Sequence, residues 1–92
     1  MADVVWSDQA LQDLEEIHAY IAADKPLAAV AFARTLYEAG DSLQHFPRRG
    51  RPSPNRTREL TAVWPYLIRY RFDEDQDLVT ILTIWHGAQN AP

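Results

Sequence analysis

Cysteine is absent from the 92 residues, glycine occurs only three times, and no apolar run approaches the ~20 residues that a membrane span needs. The missing thiols exclude a disulfide framework, a thiolate zinc site and a cysteine nucleophile, and make a reducing cytoplasm the expected compartment. Gly40, Gly50 and Gly87 stand far apart, which leaves no glycine-rich phosphate loop. His18, His45 and His86 are too scattered for a metal signature, so neither a metal nor a cofactor is expected. Ser7, Ser42 and Ser53 lack the surroundings of a nucleophile elbow, which removes a conventional hydrolase. The first residues, from Met1 to Glu16, have neither a basic n-region nor an apolar h-region, and predict no signal peptide.

What is present is an ordinary globular mixture. Hydrophobic residues at 47% and charged residues at 24% exclude wholesale disorder. The length predicts one domain, residues 1–92, with one core.

Charge is distributed unevenly. Seven arginines fall between Arg48 and Arg71: Arg48, Arg49, Arg51, Arg56, Arg58, Arg69 and Arg71. Glu59 is the one acid among them, so that stretch carries +6. Lys25 and Arg34 against twelve acids give the remainder −10, and the two parts add to −4. Such asymmetry points the seven arginines toward an anionic partner, either nucleic acid or an acidic polypeptide. Internal pairing with the chain's own acids is the competing reading. Arginine throughout favours the binding face, because a guanidinium grips phosphate or carboxylate with two parallel hydrogen bonds.

Hydrophobic periodicity outlines the elements. Asp3 to Trp6 reads as a strand, and Ser7 is a helix N-cap followed by Asp8. Leu11, Leu14, Ile17 and Ile21 recur at helical spacing up to the Asp24-Lys25-Pro26 break. Pro26 opens a second helix with the stripe Ala29, Phe32, Leu36, Ala39 and Leu43, closed by Phe46, and Gly40-Asp41 is its weak point. The short link predicts an antiparallel helical hairpin. Pro47 to Asn55, with three prolines and a glycine, reads as loop. Three strands follow: Thr57 to Val63, then Tyr66 to Phe72 after a turn at Trp64-Pro65, and Leu78 to Trp85 after an acidic turn. In the middle strand Tyr66, Ile68, Tyr70 and Phe72 share one face, and Leu67, Arg69 and Arg71 the other. The expectation is an α+β domain of order β-α-α-β-β-β, a helical hairpin packed on a small antiparallel sheet.

His86, just past the last strand, is the histidine placed where functional side chains concentrate and could transfer a proton near neutral pH. The competing reading is a histidine that fixes the C-terminal end. Tyr66 and Tyr70 could stack on bases, but core packing accounts better for their position opposite Arg69 and Arg71.

These residues in this order resemble the RelE/ParE superfamily of type II toxin–antitoxin toxins. The resemblance rests on Trp6, Ala10 and Leu14, then Tyr20-Ile21-Ala22 and Pro26-Leu27-Ala28-Ala29. It continues through Phe46-Pro47, Gly50-Arg51, Arg58-Glu59-Leu60, Tyr66-Leu67-Ile68-Arg69-Tyr70-Arg71 and Ile84-Trp85-His86-Gly87-Ala88. It implies a compact sheet with a two-helix hairpin, and a toxin encoded beside an antitoxin that wraps and blocks it. RelE-like members cut messenger RNA on the ribosome, whereas ParE-like members poison DNA gyrase without established catalytic residues. The ribonuclease branch uses basic side chains near the start of the Tyr66 strand and after the last strand, with a tail tyrosine. Here Leu67 and Gly87 occupy the comparable positions, and no tail tyrosine follows Gly87. The ending Trp85-His86-Gly87-Ala88-Gln89 therefore resembles the ParE side. A ribonuclease built on His86, Arg58 and Arg69 is the alternative, and a non-toxic interaction module on the same fold is a third.

Overall fold

A computed structural model describes residues 1–87; Ala88 and Gln89 of the terminal motif lie outside the described residues. Five strands form one sheet in the order β1-β5-β4-β3-β2, where β1 is Asp3–Trp6, β2 Arg51–Ser53, β3 Thr57–Val63, β4 Tyr66–Asp73 and β5 Leu78–His86. Two helices, α1 (Asp8–Ala22) and α2 (Pro26–Asp41), pack as a hairpin on one face, and a 3₁₀ turn over Ser42–Gln44 follows. The α+β architecture and the helical hairpin are as the sequence predicts.

Two features of the sheet differ from the expectation. Arg51–Ser53 lies in the stretch read as loop, yet it pairs antiparallel with Thr57–Glu59. Pro52 is tolerated there because β2 is an edge strand with no neighbour on its outer side. At the other edge β5 runs parallel to β1, with Asp3 opposite Leu78 and Trp6 opposite Ile81, a pairing that joins the two ends of the chain, and the sheet is mixed rather than antiparallel.

Ser7 joins sheet to helix. Its hydroxyl oxygen accepts the Ala10 N–H at 3.0 Å as the α1 N-cap and its O–H donates to the Leu82 carbonyl at 2.9 Å. The core between the layers is built by Ala10, Ile17, Leu36, Leu43, Leu60, Ile68, Tyr70, Val79, Ile81 and Ile84. Phe46 does not close the α2 stripe as expected. The chain has left the helix at Asp41, and the Phe46 ring is 64% exposed. Gly40 is a contact point more than a weak one: a Cβ there would come within 2.5 Å of Trp6 Cζ2 and 2.7 Å of Ile81 Cδ1.

Candidate functional site

The helical hairpin covers one face of the sheet, and the other face carries a polar row across four strands. Directly opposed residues share a face, and the register runs Arg51–Glu59–Arg69–Thr83 from β2 to β5. Glu59 is the pivot. It is 9% exposed, accepts from Arg69 Nη2 at 2.7 Å and stands 3.8 Å from Arg51 Nη2. Arg69 also lies over the Trp85 ring at 5.1 Å, and its buried Nε–H meets no acceptor among the described residues. Beyond β5 the row reaches α1, where Asp13 Oδ2 accepts from Thr83 Oγ1 at 2.6 Å and from the Ile84 N–H at 2.9 Å.

Arg71 follows Arg69 on this face and is exposed, donating to the Asn55 carbonyl at 3.3 Å. Arg56 sits in the β2–β3 turn in a left-handed conformation, with φ of 60° after Asn55 at 63°. Leu67 and Trp85 are cross-strand partners on the same face, and the Trp64 ring beside them is 68% exposed. The open face thus combines arginines with exposed indole, a surface suited to anionic groups and flat apolar groups together.

The remaining arginines gather on the hairpin side of the sheet. The Tyr70 hydroxyl accepts the Gly50 N–H at 2.8 Å and donates to the Pro47 carbonyl at 2.8 Å, pinning the segment before β2. Gly50 is required there, since a Cβ would stand 2.8 Å from Tyr70 Oη. Burial pushes the Tyr70 phenol above its ordinary value, against the opposing pull of the Gly50 N–H, Arg58 and Arg49. Arg58 Nη1 donates to the Gly50 carbonyl at 2.7 Å and the Arg48 carbonyl at 3.2 Å. Arg48 pairs with Glu74 and lies over Phe72, and Arg49 donates to Ser42 Oγ. The seven arginines expected to form one surface are therefore divided. Arg51, Arg69 and Arg71 share the open face, Arg56 is at its rim, and Arg48, Arg49 and Arg58 hold the Phe46–Gly50 segment.

His86 is on the hairpin side, edge-on to Tyr66 at 5.2 Å between ring centroids. Arg58 is opposite Tyr70, four residues along β4, roughly 13 Å at ~3.3 Å per residue, and Arg69 is on the opposite face. The structure does not bring these three together. Asp13 was invisible to sequence reasoning as a site residue, because nothing local shows that α1 passes the free edge of β5. Among the described residues no cluster of His, Cys, Asp and Glu could hold a metal ion, and no helix is long and apolar enough to cross a membrane.

Residues 4–91 match the family model of the ParE toxin of the type II toxin–antitoxin system parDE. The chain belongs to the ParE toxin family. The Toxin RelE2 of Caulobacter vibrioides is 46% identical over 89 residues, 97% of this chain and 99% of that protein. Among solved structures, the chromosomal ParDE toxin–antitoxin system of P. aeruginosa superposes with a TM-score of 0.83 at 26% identity, covering 94% of this chain and 96% of that one. The RelBE2 toxin–antitoxin complex of Mycobacterium tuberculosis superposes with a TM-score of 0.59 at 27% identity, covering 92% and 96%. This ParE-family chain is a type II toxin–antitoxin toxin of the ParE/RelE superfamily, as its residues led one to expect.

Proposed function

We propose that this chain inhibits growth by binding DNA gyrase in the cytoplasm, and that a co-encoded antitoxin neutralises it. The observation that carries the reading is the dispersal of His86, Arg58 and Arg69. A ribonuclease needs a proton donor, a proton acceptor and cations converging on one phosphate. Here one arginine is committed to a loop and the other to Glu59, on the face away from His86. A gyrase poison needs complementarity alone, and Arg71, Arg56 and Trp64 beside the Arg51–Glu59–Arg69 row are the open-face groups available for it. The higher TM-score toward the ParDE system than toward RelBE2 supports the same side, at nearly equal identity. The antitoxin is expected to cover part of the arginine-bearing surface with acidic side chains, since charge complementarity steers association and fixes register.

One observation favours a second reading. The relative at 46% identity is named Toxin RelE2, which keeps a ribosome-dependent messenger RNA endoribonuclease as the alternative. The two are separated by inducing this chain alone and reading plasmid supercoiling and messenger RNA integrity in the same cells. Altered supercoiling with intact messages supports the gyrase reading, and codon-spaced cleavage of translated messages overturns it. Co-expression of the adjacent small gene should restore growth in either case.

A further inference from the structure

Helix α1 carries Asp8, Asp13, Glu15 and Glu16 and has no lysine or arginine. Asp13, Glu16 and Tyr20 form one wall of a cleft of about 460 Å³ whose other wall includes Tyr66, Trp85 and His86. The cleft exists because β1 covers β5 only from Leu78 to Ile81, so the last part of β5 faces α1 instead of a strand. No lysine or arginine lines it among the described residues, although two carboxylates do. Asp13 is committed, its Oδ2 to Thr83 and the Ile84 N–H and its Oδ1 to Gln9, which blocks pairing with an incoming strand there and leaves Glu16 as the more open carboxylate. Glu16 is exposed, its Oε1 accepting from the equally exposed Gln12 at 3.2 Å. Tyr20, 76% exposed, stands beside Tyr66, whose phenol is raised by burial and then by the nearness of Tyr20. Tyr66 therefore presents a neutral ring within a partly dry wall. The Trp85 ring is already covered by Arg69, but Tyr20 and Tyr66 beside Glu16, in a lining that includes no lysine or arginine, are surroundings in which a guanidinium or ammonium is held.

We infer that this cleft receives an arginine or lysine side chain presented by a partner polypeptide. Its strand wall runs along four consecutive residues, Thr83 to His86, roughly 10 Å at ~3.3 Å per step, which suits an extended chain better than a small free cation. The site lies at the Asp13 end of the Arg51–Glu59–Arg69–Thr83 row, so its acidic charge adjoins the arginine face. A partner matched to both would carry acids against the arginines and at least one cation against α1, which fixes its orientation.

The test is an NMR titration of the whole chain with a capped glycine–arginine–glycine tripeptide. The same peptide with citrulline serves as the neutral isostere, and guanidinium chloride as the free cation. Saturable shifts at Glu16, Tyr20 and the Trp85 indole are expected with the arginine peptide. Citrulline, free guanidinium and the Glu16→Gln variant should each bind about tenfold more weakly. Both Glu16 and Tyr20 are exposed, so Glu16→Gln and Tyr20→Ala should keep the dispersed spectrum of the folded protein. Absence of saturable shifts, equal binding of the citrulline peptide, or unchanged binding by Glu16→Gln would overturn the cation site. Equal binding of guanidinium alone would overturn the polypeptide partner.

Discussion

Arg69 donates to Glu59 across 2.7 Å while its guanidinium lies over the Trp85 ring, so the one acid within the arginine-rich stretch is paired with a half-buried arginine. Glu59 also attracts Arg51 from the other side, at 3.8 Å. The sheet is thereby cross-linked on the face the helices leave uncovered.

Glu59→Gln should therefore destabilise the fold and leave its topology unchanged. Breaking a fully buried pair costs ~3–5 kcal/mol, but the Arg69 side chain is 32% exposed and water replaces part of the lost interaction. The expected loss is about 1–2 kcal/mol, read as a lower urea midpoint at unchanged slope. An unmoved midpoint would show that the pair contributes specificity alone.

Gly40→Ala opposes two effects of known sign. Alanine improves helix propensity by about 1 kcal/mol, but its Cβ would overlap Trp6 Cζ2 and Ile81 Cδ1. Overpacking a filled core costs ~1–3 kcal/mol, and both neighbours are anchored, Trp6 by stacking on Tyr37 at 5.3 Å. Net destabilisation is expected, seen as a lower Tm. A raised Tm would mean that the indole shifts freely.

The Tyr70 phenol ionises at higher pH in the folded chain than its ordinary value of 10.0, chiefly through burial. Its contribution is complete below about pH 10 and is lost as pH rises through the folded value, because the unfolded chain releases the proton first. Tyr70→Phe removes the bonds to Gly50 and Pro47, so it should cost about 1–3 kcal/mol at neutral pH. The variant should also lose part of the alkaline fall in stability. Parallel alkaline limbs in variant and wild type would assign that fall to other groups, Tyr66 first among them.

How far the sequence could be read depended on whether each signal was local. The helices were legible because Leu14, Ile17, Leu36 and Leu43 repeat at helical spacing and Ser7 and Pro26 mark their starts. β4 was legible because its Tyr–Ile–Tyr alternation is strict. Arg51–Ser53 was not, since three residues around Pro52 have no periodicity and become a strand only by pairing with β3. Nor was the parallel pairing of β1 with β5, which joins the two ends of the chain and has no local signal. The arginines were visible as a charge block, but their division between two sides of the sheet depends on alternation in β3 and β4 and on Tyr70 holding the segment before β2.

That division yields a prediction with opposite outcomes at neighbouring positions. Arg56 and Arg71 make little internal contact, so Arg56→Glu with Arg71→Glu should leave thermal unfolding within a few degrees of wild type. The same double variant should weaken antitoxin association and flatten its dependence on salt, since fewer attractive charge pairs are left to screen. Arg58→Glu should instead release the Gly50 carbonyl and lower the Tm while changing the open face little. Unfolding by the double variant, measured by circular dichroism before any binding assay, would make those arginines structural.

His86→Gln separates binding from chemistry most directly. Glutamine keeps similar size and hydrogen-bonding capacity but cannot exchange a proton near neutral pH. His86 packs edge-on against Tyr66, so the variant gives up that ring contact, worth about 1 kcal/mol, and its folding is checked by circular dichroism before toxicity is read. If the chain acts by binding gyrase, growth arrest on induction should persist and the DNA damage response should still be induced. A nuclease that relied on this imidazole would lose about 10²- to 10⁴-fold in cleavage rate, which removes toxicity at ordinary expression. Collapse of toxicity in the folded variant, together with message cleavage by the wild type, would establish the ribonuclease and make the gyrase assignment wrong. Persistent toxicity with intact messages leaves complementarity of the Arg71–Trp64 face as the working element, and Trp64→Ala should then abolish it.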